Sequence, residues 1–563
     1  MKKFGIKRIL ACLVAVALTL PMVPAPVFAE VQISNPAGTC PCCGLAPEAI
    51  SWSVLTPEGF ENNQVSQNQH ITMAEDVKLS GQVEIAAGAH LLLDLKGHTL
   101  STNGDRAFFV SGGLTVFDSS AEQTGTIVGG DVSALGAANY GGGAICVNGG
   151  TFTLLSGTIT GGTAALGGNL YVDQDSTATI AGGTIRDGYA AGKDSASGRG
   201  GNIYTLGTVN ISGDARILNG YAQITPNLSG TNNSGRGGNL FVHSRADVTL
   251  SGKTKILRGT ADARGGNILV NYYSVLTIQE DAQIYGGTAK SNGSNIDVMT
   301  STLNIQGGTI YGAPAGSAQN NINFYSTSSV LNITGGKTYG KISTLVGMTI
   351  NISGDPYVEH LYLPVELNKD GTEKGRALIV PGTFEPTAWV GLEVGAEDQV
   401  FTGPLEDFSS YLNFFNYTKE GLTWYRRKKD NALYLTKGTP CQCCGEDVND
   451  ISWIPITADL VIEDMEGRVS THYRLTEHIQ LEAPIVVDGT AGTVTIDLCG
   501  HTLTAPAGQN ALDITVGSKV NIVDNSEGKA GTILGNGEMN AASGILKIYG
   551  IGTEVNLYGG TIT

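Results

Sequence analysis

GGNLYVDQDSTATIAGGTIRDGYA, residues 167–190, contains the reading on which the fold turns. A glycine pair and an asparagine open it, and LYV, TATI and GGTIR follow, each bounded by Gly, Asn or Asp. Apolar-alternating runs this short, punctuated by turn residues, read as strands joined by tight turns. The opening then returns as GGNIYT at 200, GGNLFV at 237, GGNILV at 265, GSNIDV at 293 and NNINF at 320. Its asparagines, Asn169, Asn202, Asn239, Asn267, Asn295 and Asn321, are spaced by 33, 37, 28, 28 and 26 residues. A second strand follows each, as in GGTIRDG at 182, GDARILNG at 213, GKTKILRG at 252, EDAQIYGG at 280 and GGTIYG at 307. A unit of roughly 26 residues, with looser insertions at 190–199 and 222–236, reads as one coil of a stacked solenoid.

Stacked coils place equivalent side chains on their own kind at about 4.8 Å. Inward Ile, Val and Leu would then build the core, and outward Thr, Tyr and Asn would form ladders. The asparagines have a structural reading, amides bonding coil to coil at a sharp turn. They also have a functional one, a stripe that contacts sugar or ions. The composition agrees with a packed β-rich chain: 78 glycines, 15% charged residues and 41% apolar residues, too apolar for disorder.

Lys2, Lys3, Lys7 and Arg8 precede ILACLVAVALTL (9–20) and VFA (27–29), the pattern of a secretory leader cut near Ala29. The chain is expected outside the cell, secreted or at the cell surface. No later run approaches the length of a transmembrane helix. The net charge of −17 argues against nucleic acid or anionic lipid as a partner.

The chain also starts over. CPCCGLAPEAISWSVLT (40–56) answers CQCCGEDVNDISWIPIT (441–457), and HLLLDLKGHTL (90–100) answers TVTIDLCGHTL (493–503). Two tandem modules of about 400 residues follow, the second expected to continue past Thr563. The expected organisation is a leader over 1–29, a Cys-containing N-terminal segment and cap over 30–80 and a β-helix over 81–360. A β capping subdomain over 361–438, a second Cys-containing segment over 439–482 and the start of a second helix over 483–563 complete it. Phe414, Phe415, Tyr417, Trp424 and Tyr425 would supply the capping subdomain's core, or with basic Arg426–Lys429 contact sugar rings.

Three cysteines and one histidine recur together: Cys40, Cys42, Cys43 and His70, then Cys441, Cys443, Cys444 and His472. Three thiolates and an imidazole suit a tetrahedral structural zinc. A disulfide, favoured by secretion, and packed free thiols are the rival readings. In each case the role is to staple a cap.

On the Cys-rich segment, Trp52 and LDLKGHTL (93–100), repeated as Cys441–Cys444, Trp453 and IDLCGHTL (496–503), the chain resembles right-handed parallel β-helix proteins of the pectate-lyase-like superfold. More narrowly it resembles large multi-module surface proteins of Gram-positive gut anaerobes. The resemblance implies an all-β, right-handed parallel β-helix with small capping subdomains. It leaves activity open, because that fold hosts lyases, hydrolases, esterases and adhesins. Polygalacturonase-type sites need clustered carboxylates, and the sequence has no N-T-D, D-D or R-I-K. Asp173 and Asp175, with Arg186 and Arg199 nearby, are a weak candidate for lyase chemistry. His98 and His501 are expected to fix the first coils through hydrogen bonds to backbone. The expectation is a non-catalytic scaffold or adhesin that contacts glycans or host and cell-wall surfaces. A polysaccharide-active lyase or hydrolase is the alternative.

Overall fold

The computed structural model describes residues 50–135, 141–192, 194, 197–225, 234–313, 320–396 and 399–405. Beyond these it describes 411, 414–417, 423–427, 431–436, 441, 448, 451–460, 462, 470–488, 493–515, 517–526, 528–537 and 544–563. The leader and Cys40, Cys42, Cys43, Cys443 and Cys444 lie outside them. The chain divides into two compact units, Met1–Glu393 and Val394–Thr563.

The first unit is a parallel β-helix. One coil runs through strands Leu170–Val172, Thr177–Ile180, Thr184–Arg186 and the two-residue Tyr189–Ala190, then re-enters at Ile203–Thr205. Each strand pairs in parallel with its equivalent one coil on: Leu170 with Ile203, Thr177 with Thr208, Thr184 with Arg216 and Tyr189 with Tyr221. The result is three long ladders of strands and a short fourth. Thr177–Ile180 belongs to the 13-stranded first sheet. The second sheet, holding Thr184–Arg186, and the third, holding Leu170–Val172, merge at Lys337–Ser343, which bends around their shared corner and pairs with both.

The alternation of the sequence explains the core. Leu170, Val172, Ala178, Ile180, Ile185 and Ala190 are fully buried, while the residues between them on the first two sheets face out. The same positions in the next coils are Ile203, Val209, Ile211, Ile217 and Ala222, then Leu240, Val242, Val248, Leu250, Ile256 and Ala261. Each fully buried large aliphatic side chain contributes about 1.5–3 kcal/mol against the entropy of ordering the coil.

The glycine pair of each GGN has two distinct tasks. The first glycine adopts a left-handed backbone: Gly167, Gly200, Gly237, Gly265 and Gly293 all have φ between 59° and 67°. The second is a close-approach residue. A Cβ on Gly201 would lie 2.0 Å from the carbonyl oxygen of Gly238, and one on Gly238 would lie 2.1 Å from that of Gly266.

The parallel stack extends to both sides of the glycine-rich coils. It begins at Ser53–Leu55, which pairs in parallel with Ile71–Met73, so the described part of the expected N-terminal cap already consists of coils. It continues past residue 360 to Leu378–Phe384, paired in parallel with Thr349–Gly354. The glycine signature fades there, but an alternating strand needs only its register to stack.

In the second unit, Gln399–Val400, Ala432–Thr436 and Thr423–Arg427 form an antiparallel three-stranded sheet. Phe415 is buried there, with its ring centroid 5.3 Å from that of Phe401. The side chains of Tyr417, Trp424 and Tyr425 lie outside the described set. Parallel stacking then resumes from Ile454–Pro455 through Ser470–Arg474, Thr493–Asp497, Lys519–Val523 and Glu554–Leu557, flanked by two further parallel ladders. The repeated sequence thus rebuilds the same three-sided coil.

Candidate functional site

The six asparagines form one buried chain of amides. Asn169 donates to Asn202 at 2.8 Å, Asn202 to Asn239 at 2.8 Å, Asn239 to Asn267 at 2.7 Å, Asn267 to Asn295 at 2.6 Å and Asn295 to Asn321 at 2.6 Å. Each amide also donates to a backbone carbonyl, Asn239 to that of Leu257 at 2.7 Å. Most accept a backbone N–H as well, as Asn239 does from Gly220 at 2.8 Å. An amide is donor and acceptor at once, so a stack of amides satisfies itself. The ladder is fully buried, which removes it from contact with any ligand.

The two recurring histidines pack edge-on against the two recurring tryptophans. His70 lies 5.7 Å from Trp52 and His472 lies 5.4 Å from Trp453, between ring centroids. Cys441 is buried with Val448, Ile451 and Val523, and its sulfur accepts a 3.9 Å contact from the Asn525 amide. The other five cysteines of the zinc reading fall outside the described residues. Among the described residues no three His, Cys, Asp or Glu side chains form a metal-ligating group.

The D-L-x-G-H-T motif is a turn staple. Asp94 accepts the N–H groups of Lys96 and Ser119, each at 3.0 Å, and the Ser119 hydroxyl at 2.7 Å. Burial nevertheless pushes its carboxyl above the ordinary range. In the second module Asp497 accepts Cys499 and Asn525 N–H groups, and the Arg474 guanidinium at 2.8 Å. His98 differs from expectation: its ring faces the Asp76 carboxylate at 3.7 Å. His501 packs edge-on against His478, with centroids 5.3 Å apart. Neither contact is to backbone. The loops that bring these side chains close offer partners that sequence spacing does not reveal.

The candidate site is on the outer face of the third sheet. The outward residue of each third-sheet strand forms a floor: Cys146, Tyr171, Tyr204, Phe241, Leu269, Asp297 and Asn323, in consecutive register. Tyr171 stacks on Tyr204 at 5.6 Å and Tyr204 on Phe241 at 5.4 Å. These floor residues face away from the core, yet they are buried. Part of their cover is an arginine ladder. Arg199, Arg236 and Arg264 stand immediately before three successive GGN motifs, and their backbones bridge in parallel from coil to coil. The Arg199 guanidinium lies 5.6 Å from the centroid of Phe241, and that of Arg264 lies 3.7 Å from the centroid of Tyr325. Arg236 reaches the sulfur of Met299 at 3.9 Å.

Opposite the arginines, the chain leaving the third sheet supplies a rim. His243, Asn271, Tyr272, Tyr273, Met299 and Thr300, with Arg199 and Arg236, line a cleft of about 470 Å³. Tyr272 and Tyr273 are 58% and 66% exposed, and both hold a left-handed backbone, with φ of 55° and 59°. Two consecutive tyrosines in that region cost about 1–2 kcal/mol each. Other coils use Asp175, Ser244 and Arg245 at positive φ in the same turn, so the turn does not require aromatics.

The electrostatics follow from burial. Burial and the flanking Arg199 and Arg264 push Arg236 down to about 10. Burial, then Arg199, push His243 down to about 4, so the ring is neutral at pH 7 and hydrogen-bonds the Tyr204 hydroxyl at 3.0 Å. Burial pushes Asp297 up to about 6 against the opposing pull of the Asn323 amide at 2.6 Å, Arg264 and Arg236.

Asp173 sits on this face and accepts the Tyr171 hydroxyl at 3.1 Å. Asp175 lies in the adjoining turn, whereas Arg186 is on the second sheet, paired with Asp187 at 2.8 Å. The four residues considered for lyase chemistry are therefore not one constellation. The groove as such was not read from the sequence. Its sequence signal is R-G-G-N at 199, 236 and 264, an arginine ahead of the repeated G-G-N. No family model, curated protein or solved structure matches the chain.

Proposed function

We propose that this chain is a secreted or cell-surface repeat protein, with a leader removed near Ala29, that acts as a non-catalytic scaffold or adhesin and contacts glycans. The observation that carries the reading is the exposed, backbone-strained pair Tyr272–Tyr273 on the rim of the third-sheet cleft. Exposed aromatics, in a turn that polar residues occupy elsewhere at the same backbone angles, call for a role outside the fold. Tyrosine supplies a flat apolar face and a polar tip, which suits the alternating C–H and hydroxyl faces of a sugar ring. On this face Asp173 and Asp297 support a binding role over hydrolysis. Asp173 and Asp297 are four coils apart on one face, about 19 Å at the usual strand spacing, against about 5–9.5 Å for a glycosidase pair.

The test is a glycan array probed with the full chain and with the Tyr272→Ala/Tyr273→Ala variant. Binding to a defined set of oligosaccharides, lost in the variant at an unchanged melting temperature, is expected. Binding that survives the double substitution, or release of new sugar ends from the bound oligosaccharides, would overturn the reading.

A further inference from the structure

We infer that the outer face of the second sheet docks a proline-rich, acidic segment of a partner protein, held in polyproline II conformation on the aromatic ladder of Tyr285, Tyr311, Tyr339, Tyr357 and Trp389. This face is separate from the third-sheet cleft proposed for glycans. The amide ladder fixes its backbone. Asn267, Asn295 and Asn321 donate to the carbonyls of Tyr285, Tyr311 and Tyr339 at 3.0, 2.9 and 2.6 Å. Earlier amides hold Arg186, Leu218 and Leu257 in the same way, so the position itself does not require an aromatic. From Tyr285 to Trp389, successive ring centroids are 5.5, 6.0, 5.4 and 5.1 Å apart. None of the five is buried, and Tyr311 is 41% exposed. Their hydroxyls set the tyrosines apart. Tyr171 and Tyr204 on the third sheet, and Tyr189 and Tyr221 on the short fourth ladder, all bond a side chain through the hydroxyl. The hydroxyls of Tyr285, Tyr311, Tyr339 and Tyr357 have no hydrogen-bond partner among the described residues.

Ring geometry selects the ligand. Tyr311 and Tyr339 stack at 19°, and Tyr357 and Trp389 at 17°, so within each pair the ring faces cover one another. A sugar ring needs an open aromatic face, whereas gaps between ring edges suit pyrrolidine rings, as in aromatic-lined grooves that take polyproline II. That backbone makes no internal hydrogen bonds, so its carbonyls are open to the free tyrosine hydroxyls. Its turn of three residues is about 9.3 Å long. Two coils rise about 9.6 Å, so one face of the peptide meets every second coil. Gln283, Tyr285, Gly286, Tyr311 and Gly312 line a cleft of about 370 Å³. Gln283 also lines a cleft of about 840 Å³ with Lys253, Lys255, Lys337 and Tyr357, and so joins the two. These three lysines make no ion pair among the described residues. Of the carboxylates lining the larger cleft, Glu280 accepts the Gly252 N–H and Asp355 the Thr387 hydroxyl, each at 2.7 Å. Three unpaired lysines against one uncommitted carboxylate, Asp281, favour acidic residues in the peptide.

Calorimetry on the full chain tests this with four probes: dodecapeptides of repeated Glu-Pro-Pro, Lys-Pro-Pro and Glu-Gly-Ser, and cellohexaose. The Glu-Pro-Pro peptide should bind about 10-fold or more tighter than either other peptide. Tyr311→Ala should cost it about 10-fold. Tyr311→Phe should cost it several-fold, because phenylalanine keeps the ring and loses the donor. Tyr339→Ala is the second variant should Tyr311→Ala fold poorly. Tyr272→Ala/Tyr273→Ala should leave peptide binding unchanged, which keeps this face distinct from the third-sheet cleft. Glu-Gly-Ser bound as tightly as Glu-Pro-Pro would reduce the groove to a basic patch and overturn the inference. Lys-Pro-Pro bound as tightly would show that the lysines select nothing and overturn it as well. Cellohexaose binding that is lost in Tyr311→Ala would assign the ladder to sugars, with the same consequence. Absence of binding to Glu-Pro-Pro would overturn the inference and leave the glycan reading of the third-sheet cleft standing.

Discussion

Two ladders run side by side along the same helix, three residues apart in the same R-G-G-N motif. The amides of Asn202, Asn239 and Asn267 donate and accept in turn, each bonded to the next at 2.7–2.8 Å. The backbones of Arg199, Arg236 and Arg264 bridge under the same register, and the charge of Arg236 is disfavoured by its two neighbours. The coil imposes self-neighbours on every position. A group that is both donor and acceptor turns that into stability, whereas a cationic donor finds no acceptor in its own kind and takes other partners. One ladder holds the fold by bonding to itself, and the other packs over the aromatic floor.

Breaking the amide ladder at its middle should have the largest effect. Asn239→Ala strips partners from Asn202, Asn267, Gly220 and Leu257 and should cost on the order of 4 kcal/mol, read as a large fall in melting temperature. Asn321→Ala, at the end of the ladder, should cost distinctly less, since it accepts from Asn295 and donates to the Tyr339 carbonyl. Equal costs would mean that the amides do not act as a chain. Next comes the glycine between the two ladders. Gly238→Ala drives a Cβ into two backbone atoms, the Gly266 oxygen at 2.1 Å and the Thr260 nitrogen at 2.3 Å, and should cost about 2–3 kcal/mol. A neutral result would show that the coils can part without penalty.

Asp297 sharpens the contrast through pH. Its folded value, about 6, lies above its ordinary 3.8, so the folded state holds the proton more tightly. Its contribution is therefore present below about 4 and lost as pH rises to about 6. His243 works in the opposite sense. Its folded value, about 4, lies below 6.5, so its contribution is lost as pH falls through that window. Asp297→Asn should match the native chain at pH 4 and melt higher than it at pH 7. An identical difference at both pH values would show that Asp297 ionises normally.

The smallest effect is expected from the arginines. Arg236→Gln should change stability by no more than about 1 kcal/mol, because relief from Arg199 and Arg264 offsets the loss of Asp297 as a partner. A loss as large as that of Asn239→Ala would give the guanidinium ladder a structural task and dissolve the contrast.

The amide ladder was legible because its evidence is local. Each asparagine sits between a glycine pair and an apolar strand, and six recurrences mark one position of one coil. Glycine marks only the coils that need its conformational freedom, and the stack runs on either side of them. Ser53–Leu55 and Leu378–Phe384 stack by alternation alone. The histidine contacts escaped because a ring such as His98 takes its partner, Asp76, from the loop of a neighbouring coil.

By itself the sequence determined the coil, its parallel stacking, its tandem repetition and the amides that line one corner. Strand alternation, glycine punctuation and repeat spacing are properties of short segments and survive without coordinates. Tertiary structure alone decided the groove. Arg199, Arg236 and Arg264 are separated by insertions of unequal length, and Asp297 arrives from a later coil, so no window of sequence holds them together. Outward residues such as Tyr204, Phe241 and Asp297 alternate as surface positions should, yet they are buried. Burial and charge both depend on which groups become neighbours, and in a stacked helix the neighbours are chosen by register.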